Sequence, residues 1–237
     1  MRIVQLLDKY FYPRYQKNWD DQAFRERILK VISPETNLLD VGAGAGIIDS
    51  MNFRGNTQRV CGVDLDPRVL HNPFLDNAHI ADASDLPYSD ASFDVVIADN
   101  VMEHLDQPEQ VFREIARVLT PGGRLLFKTP NRRHYMPLIA RLTPHRFHQW
   151  VNRLRGRHET DTFPTQYLSN SPIQIREIAA KSNLCIDTIE LIEGRPEYLR
   201  INALTYFLGL LYERLVNLTP LLARYRILLI VTLSKPK

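Results

Sequence analysis

Three glycines stand at alternate positions after an apolar run, in the stretch Asp40-Val41-Gly42-Ala43-Gly44-Ala45-Gly46. Glycine lets a chain turn sharply away from a strand end and lets a ligand lie against bare backbone. The G-x-G-x-G spacing differs from the G-x-G-x-x-G pattern of dinucleotide sites, and no Lys-Ser/Thr pair follows as in a phosphate-binding loop. The carboxylate of Asp40, just before the loop, disfavours a pyrophosphate and suits a cationic amine. An ordinary tight turn is the alternative.

Two further carboxylates follow apolar runs farther along the chain. Asp64 ends the run Arg59–Asp64, 18 positions after Gly46, and Asp82 follows the short apolar step 78–81. An acid in the first position can accept hydrogen bonds from both hydroxyls of a ribose. Asp82 could accept a hydrogen bond from the exocyclic amine of an adenine. Carboxylates at three successive strand ends indicate an adenosine-containing ligand.

The elements that would position these residues are strands separated by helices. Four apolar runs have strand length and turn residues at their ends: Asn37–Val41, Arg59–Asp64, Asp94–Ala98 and Arg124–Thr129. The spacing of apolar residues predicts a helix over Pro108–Leu119 that ends at Pro121-Gly122-Gly123. Strands that alternate with helices indicate a parallel sheet covered on both faces.

Elements outside this central region are predicted from the same signals. A helix is expected over Ala23–Ile32, and Ser171-Pro172 begins a capped helix that runs to about Ser182. The stretch 130–171 is rich in Pro, His and Arg, with a short helical piece at Phe147–Leu154. Strands are expected at Leu184–Ile192 and Ile227–Leu233, with a largely helical stretch over 193–226 between them.

Composition and charge exclude several classes of protein. With 237 residues, 44% of them hydrophobic and 24% charged, the chain is neither disordered, collagen-like nor a disulfide scaffold. Cys61 and Cys185 lie in apolar runs and are read as reduced core residues of an intracellular protein. The first 20 residues lack the apolar core of an export signal, and the 12-residue apolar stretch 201–212 is too short to span a bilayer.

The net charge of +3 conceals one strongly basic segment. Nine Lys and Arg and no acid lie between Arg124 and His158, whereas the rest of the chain has a balance of −6. Such a segment suits an anionic acceptor or an anionic membrane surface. Nucleic acid is disfavoured because aromatic residues are sparse in the segment and no nucleic-acid-binding motif is present. Alternatively, these cations pair with acids elsewhere in the chain.

On these motifs the chain resembles a class I S-adenosylmethionine-dependent methyltransferase of the type 11, small-molecule kind. The matching stretches are Leu38–Gly46, Gly62–Asp66, Ala81–Tyr88, Ser92–Leu105 and Arg113–Arg124. Together they cover residues 37–131 almost without a gap. The resemblance implies a transferase with S-adenosylmethionine as methyl donor and S-adenosylhomocysteine as product.

The resemblance also implies the fold and its organisation. The fold class is α/β, a Rossmann-like doubly wound seven-stranded sheet of order 3-2-1-4-5-7-6 with strand 7 antiparallel and helical insertions after strands 5 and 6. We expect a single methyltransferase domain over 1–237. Its parts are an N-terminal helical cap (1–33), a cofactor-binding core (37–131), a basic acceptor-side insertion (132–171) and a helical insertion before the last strand (194–226).

Ten residues are expected to bind the cofactor. They are Asp40, Gly42, Ala43, Gly44 and Gly46 at its methionine end, Asp64 and Leu65 at the ribose, Asp82 and Ala83 at the adenine, and Asn100, which closes the pocket. No metal is expected, because the methyl group of a sulfonium is already activated.

Catalytic and acceptor-binding residues are predicted after the fourth strand. His104, beside Glu103, is the candidate general base; the alternative is that it only packs behind the cofactor. The predicted acceptor-binding residues are His134, Tyr135, His158, Phe163, Thr165 and Tyr167. The segment Phe163-Pro164-Thr165-Gln166-Tyr167 resembles one found in methyltransferases of glycan and lipid-linked pathways.

The predicted function is therefore O-methylation of a small, glycan-linked or lipid-linked acceptor by a cytoplasmic enzyme. One alternative is N- or C-methylation of a quinone-like or aromatic metabolite, and another is an inactive partner subunit that binds S-adenosylmethionine. The apolar stretch 199–218 would pack in the core, in a homodimer or on a membrane surface.

Overall fold

The computed structural model describes residues 2–13, 15, 18–137 and 165–237. Its helices are α1 (Arg2–Phe11), α2 (Trp19–Leu29), α3 (Pro108–Val118), α4 (Pro172–Lys181) and α5 (Ala203–Leu218). Its strands are β1 (Asn37–Val41), β2 (Arg59–Asp64), β3 (Asn77–Ile80), β4 (Phe93–Asp99), β5 (Leu119–Pro130), β6 (Cys185–Ile192) and β7 (Leu228–Ser234). Short 3₁₀ turns connect several of these elements.

The seven strands form one sheet in the order β3-β2-β1-β4-β5-β7-β6. The first five pair in parallel, with β1 between β2 and β4. At the start of β5, the Gly122 amide donates to the Lys235 carbonyl, and the Lys235 amide donates to Gly123. These bonds join the beginning of β5 to the end of the chain, as an antiparallel β7 requires. The predicted fold class and strand order are confirmed.

The central strands are apolar because both faces of the sheet are covered. Leu38 and Leu39 of β1, and Val96 and Ile97 of β4, are fully buried although consecutive residues point to opposite faces. Such near-continuous apolar runs are typical of parallel strands that are buried on both faces.

Helix α3 covers the sheet with its apolar stripe. Pro108 occupies the first turn, where its missing amide hydrogen costs nothing, and Phe112 and Ile115 are fully buried. The ring of Phe112 meets that of Phe127 on β5 edge to face, with centroids 5.8 Å apart.

Two elements begin four or five residues earlier than the sequence predicts, and α2 also ends at Leu29 instead of Ile32. Helix α2 begins at Trp19 instead of Ala23, with two acids in its first turn that suit the positive end of the helix dipole. Strand β5 begins at Leu119 instead of Arg124, because Gly122 and Gly123 bond to Lys235 instead of leaving the sheet. The predicted helical piece at 147–154 lies outside the described residues.

The chain divides into two compact units. The sheet unit comprises residues 20–129, 165–190 and 229–237, and the described residues of the helical unit lie within 1–19, 130–137 and 191–228. The single-domain organisation and its internal boundaries stay predictions.

Truncation of Phe112 tests the packing of α3. Phe112→Ala is expected to lower the free energy of unfolding by about 3–5 kcal/mol, because a buried ring leaves a cavity. Arg113→Ala, one position along on the exposed side of the helix, should change it by less than about 0.5 kcal/mol. Urea denaturation followed by circular dichroism measures both, and equal losses would show that α3 is not packed as described.

Candidate functional site

The glycine loop after β1 is held in a backbone conformation that favours glycine. The φ angles of Gly42, Gly44 and Gly46 are 78°, 53° and 67°. A Cβ on Gly42 would lie 2.2 Å from Val101, and one on Gly46 would lie 2.2 Å from Asn72. A Cβ on Gly44 would meet only the carboxylate of Asp64, at 4.0 Å. The outer two glycines are therefore required by packing, whereas Gly44 leaves bare backbone for a ligand.

Two neighbours fix the path of the loop. The amides of Gly42 and Ala43 donate to the Val63 carbonyl at 2.8 and 3.2 Å. The Asn72 side chain donates to the carbonyls of Ala43 and Gly44 at 2.9 and 3.2 Å. Sequence reasoning missed Asn72; the available signal was a Pro-initiated turn at 67–71, capped by Asp66, that ends beside it.

Asp64 at the end of β2 is tied to the same loop. Its Oδ2 accepts a hydrogen bond from the Gly44 amide at 2.8 Å, and its Oδ1 accepts one from the Asp66 amide at 2.8 Å. A carboxylate can accept about four hydrogen bonds, so capacity remains for the hydroxyls of a ligand. This placement suits the ribose-binding role predicted for Asp64.

The residues predicted to contact an adenine lie on the open side of these strand ends. Asp82 is exposed, and its Oδ1 accepts from the Ser84 amide at 2.8 Å. Ala83 is half-buried, and Leu65 is 66% exposed. A hydrogen bond from the Ala81 amide to the Asp64 carbonyl keeps this segment beside β2. The exposed side chain of Leu65 can pack against the flat face of an adenine, and the carboxylate of Asp82 can accept a hydrogen bond from its polar edge.

Two carboxyl groups near the ends of the central strands are disfavoured in their charged forms. Burial, together with the charges of Asp99 and Asp64, raises the pKa of Asp40 well above its usual value. Burial also raises the pKa of Asp99 to about 6, although Lys128 opposes this shift. Among the described residues, Asp99 Oδ2 has no hydrogen-bond partner. A cationic ligand would favour the charged forms of Asp40 and Asp99. The residues therefore fit an S-adenosylmethionine group, which carries ammonium and sulfonium charges.

A buried lysine partly balances the acids. Lys128 Nζ lies 3.0 Å from Asp99 and 3.1 Å from Asp20, and it also pairs with Asp21. Burial lowers the pKa of Lys128, but the three carboxylates raise it by more, so the lysine is charged. Sequence reasoning missed this cluster; the signal was a charged residue inside the apolar run Leu125–Thr129. The predicted pocket-closing residue Asn100 donates its side-chain amide to Asp99 at 2.8 Å.

The candidate base His104 lies beside a buried carboxylate in the turn after β4. Its side chain is partly exposed, and its Nε2 is 4.0 Å from Glu103 Oε1. Glu103 is buried, accepts a hydrogen bond from Thr129 at 2.9 Å, and has its pKa raised by burial. The buried carboxylate of Glu103 therefore lies next to the imidazole of the candidate base. The catalytic role of His104 stays a prediction.

Residues 165–170 lie against this turn. The Glu103 carbonyl accepts hydrogen bonds from the amides of Gln166 and Tyr167, at 2.7 and 3.2 Å. Ser169 donates to the Met102 carbonyl at 2.8 Å. Two predicted acceptor-binding residues, the exposed Thr165 and the half-buried Tyr167, are thus near His104.

The other predicted acceptor-binding residues are placed differently. His134 is buried in the helical unit, where its ring contacts those of Tyr135 and Tyr212, and burial lowers its pKa to about 3. A neutral, enclosed histidine is packed as a core residue, and its acceptor-binding role stays a prediction. His158 and Phe163 lie outside the described residues.

Two of the four cations in the described part of the basic segment form ion pairs. Arg124 lies 3.8 Å from Asp187, and Lys128 is buried among acids. The alternative that cations of this segment pair with acids elsewhere is confirmed for these two residues. Across the described residues, no cluster of three or more His, Cys, Asp or Glu could hold a metal ion.

Substitution of Gly44 tests whether the bare backbone binds the cofactor. Gly55 provides a matched control, because it also has a positive φ of 81° and nothing within 4 Å of an added Cβ. Both Gly44→Ala and Gly55→Ala should lose about 1 kcal/mol of stability through backbone strain. Only Gly44→Ala should weaken S-adenosylhomocysteine binding, by about tenfold or more in isothermal titration. Equal affinity of the two variants would contradict this role.

The raised pKa of Asp99 predicts a pH-dependent stability. Between about pH 4, the ordinary value for Asp, and about pH 6, the folded chain keeps a proton that the unfolded chain has released. The free energy of unfolding contributed by Asp99 therefore falls as pH rises through this interval and is constant above it. Urea denaturation at several pH values should show a shallower slope in Asp99→Asn than in the wild type. An unchanged slope would show that Asp99 is not buried as described.

Comparison with known proteins supports the family. The sequence profile of a methyltransferase domain matches residues 39–127. Malonyl-(acyl-carrier protein) O-methyltransferase of Hahella chejuensis is 34% identical over 100 residues, 39% of this chain and 36% of that protein. Ubiquinone biosynthesis O-methyltransferase of Idiomarina loihiensis is 28% identical over 163 residues, 65% of this chain and 66% of that protein.

The fold is shared with solved structures. The crystal structure of a putative methyltransferase from Bacillus halodurans matches with a TM-score of 0.58 at 16% identity, covering 92% of this chain and 100% of that one. The chain spans about a third of the first curated relative and about two thirds of the second. Together with the strand order and the glycine loop, these matches identify residues 39–127 as a methyltransferase domain of the class I S-adenosylmethionine-dependent kind.

Proposed function

We propose that the chain transfers the methyl group of S-adenosylmethionine to a hydroxyl oxygen of a small acceptor. The observation that carries the proposal is the bare backbone of Gly44 beside the carboxylate of Asp64, at strand ends where a second acid, Asp40, is buried and a cationic ligand would favour its charged form. When bound, the cofactor supplies a methyl group already activated by a sulfonium. The protein then has to bind and orient the cofactor and the acceptor, and it has to exclude water from them.

Each part of the site has one task in this proposal. The Gly44 backbone and Asp40 hold the amino-acid end of the cofactor, and the free lone pairs of Asp64 accept from its ribose. Lys128 pairs with Asp20 and Asp99, and its positive charge stabilises the strand ends against repulsion between these acids.

His104 would accept the proton that the acceptor hydroxyl loses. Its imidazole is partly exposed, while Glu103, 4.0 Å away, is buried and held by Thr129. Because His104 is partly exposed, it can contact an acceptor. Because Glu103 lies buried beside it, Glu103 can balance the positive charge that His104 gains. Two relatives are named as O-methyltransferases, which supports an oxygen acceptor.

The acceptor class is proposed from the sequence. Thr165 and Tyr167, next to the Glu103 turn, belong to the segment that resembles those of glycan and lipid-linked pathways. We therefore propose a glycan-linked or lipid-linked hydroxyl as acceptor, with an anionic group that the remaining arginines of the basic segment would bind. Cytoplasmic localisation and a homodimer remain part of the proposal.

Radiolabelled methyl transfer tests the activity. Purified protein and methyl-labelled S-adenosylmethionine are incubated with lipid and polar extracts of the native host, and the labelled product is identified by mass spectrometry. We expect the label on an oxygen. A label on nitrogen or carbon would overturn O-methylation, and binding of S-adenosylhomocysteine without transfer to any fraction would overturn the enzymatic proposal.

Substitution of His104 tests the proposed base. His104→Gln should lower kcat by about 10²- to 10⁴-fold, with S-adenosylhomocysteine affinity unchanged. The lost rate should recover in part at alkaline pH, because hydroxide can ionise the acceptor. An unchanged kcat with cofactor still bound would remove His104 from the mechanism.

A further inference from the structure

Helix α5 of the helical unit turns its apolar side outward. Leu204, Phe207, Leu208, Leu211, Leu215 and Leu218 are each between 48% and 77% exposed. Their spacing of three and four residues places them on one face over the whole length of the helix. A hydrophobic stripe of this length on a folded protein marks an interaction surface.

The inward side of α5 combines apolar packing with buried hydrogen bonds. Glu213 is buried and accepts hydrogen bonds from Tyr12 at 3.0 Å and from Asn217 at 2.7 Å. Tyr206 is fully buried and donates to Asp8 of α1 at 3.1 Å. Because buried polar groups need such specific partners, these bonds fix which face of α5 points outward. The exposed stripe is a consequence of the packing.

Helix α1 continues the same surface. Ile3, Leu6 and Tyr10 are exposed at helical spacing. The ring of Phe11 meets that of Phe207 on α5 edge to face, with centroids 6.0 Å apart. The exposed apolar residues of α1 and α5, named the apolar face here, thus adjoin one another.

The charges around the apolar face are of one sign. The acids of α1 and of the turn before α5 point inward: Asp8 pairs with Arg195 and Arg200, and Glu197 pairs with both of these arginines. In contrast, Lys9 of α1 and Arg224 after α5 are exposed. Arg214 of α5 is 60% exposed although it lies 3.4 Å from Glu213. Over the described parts of α1 and α5, the charged residues with exposed side chains are cations.

We propose that the apolar face binds the surface of an anionic lipid bilayer, with α5 lying in the plane of the interface. An apolar stripe rimmed by cations is the pattern of interfacial helices, because each Lys or Arg near an anionic surface adds to the attraction. A second copy of the chain is disfavoured as occupant, because a symmetric contact would bring like charges of Lys9 and Arg214 together. None of the helices within the described residues is long and apolar enough to cross a bilayer. This inference stands apart from the proposed methyl transfer.

Vesicle co-sedimentation without cofactor or acceptor tests the proposal. The wild type should bind vesicles of phosphatidylcholine with phosphatidylglycerol at low salt, and bind pure phosphatidylcholine vesicles more weakly. The double variant Leu208→Gln/Leu211→Gln should bind the anionic vesicles about tenfold or more weakly. The matched control, Leu70→Gln/Ile173→Gln, changes equally exposed apolar residues of the sheet unit and should bind as the wild type does.

A second variant separates the electrostatic contribution. Lys9→Gln/Arg214→Gln should reduce binding to anionic vesicles and its salt dependence, while binding to phosphatidylcholine is unchanged. Circular dichroism and S-adenosylhomocysteine titration on every variant establish that the fold is kept; if the double leucine variant unfolds, Leu204→Gln/Leu218→Gln replaces it. Failure of the wild type to bind anionic vesicles at low salt would overturn the proposal. So would leucine variants that lose self-association in light scattering but keep vesicle binding.

Discussion

The in-register parallel pairing of β1 with β2 and β4 is the constraint on which the site depends. Val41 lies opposite Val63 on one side and Ala98 on the other, so the three strands end at the same level. The residues that follow are Gly42 in the loop, Asp64 and Asp99. Because side chains at the ends of parallel strands cannot move apart without breaking the ladder, the pairing itself forces carboxylates together. Burial is the first cause that raises the pKa values of Asp40 and Asp99, and for Asp40 the neighbouring charges of Asp99 and Asp64 add to it.

The sheet unit balances the charges of these acids only in part. Lys128 supplies one buried positive charge at the end of β5, and α2 adds two more acids, Asp20 and Asp21, around it. Burying several ions is costly unless each is paired, and Asp99 still has one unpartnered oxygen within the described residues. The acids around Lys128 outnumber the positive charges, which is unfavourable for the protein alone and favours a cationic ligand. The same excess of acids therefore lowers the stability of the fold and supports binding of that ligand.

In the helical unit, hydrogen-bonded polar side chains lie inside and the leucines of one helix face are exposed. Buried contacts such as Tyr12 with Glu213 and Tyr206 with Asp8 hold α1 and α5 together through hydrogen bonds. Each such contact satisfies a group that would be costly to bury alone. Because the polar side chains are used inside, the leucines of α5 are left outside. Hydrophobicity around a whole helix is usually a sign of burial, and here half of that apolar surface has remained exposed.

Local signals were enough to predict the strands, the glycine loop and the family. The alternation of apolar runs and turn residues, and the spacing from Gly42 to Asp64, depend on neighbours along the chain. Burial of charged side chains, in contrast, does not depend on neighbours along the chain. Lys128, which the sequence placed in a basic segment, pairs with Asp20 across 108 positions, and the leucines of α5 are exposed because distant polar groups bond beneath them. Both outcomes depend on which elements pack together, and sequence patterns carry no measure of that packing.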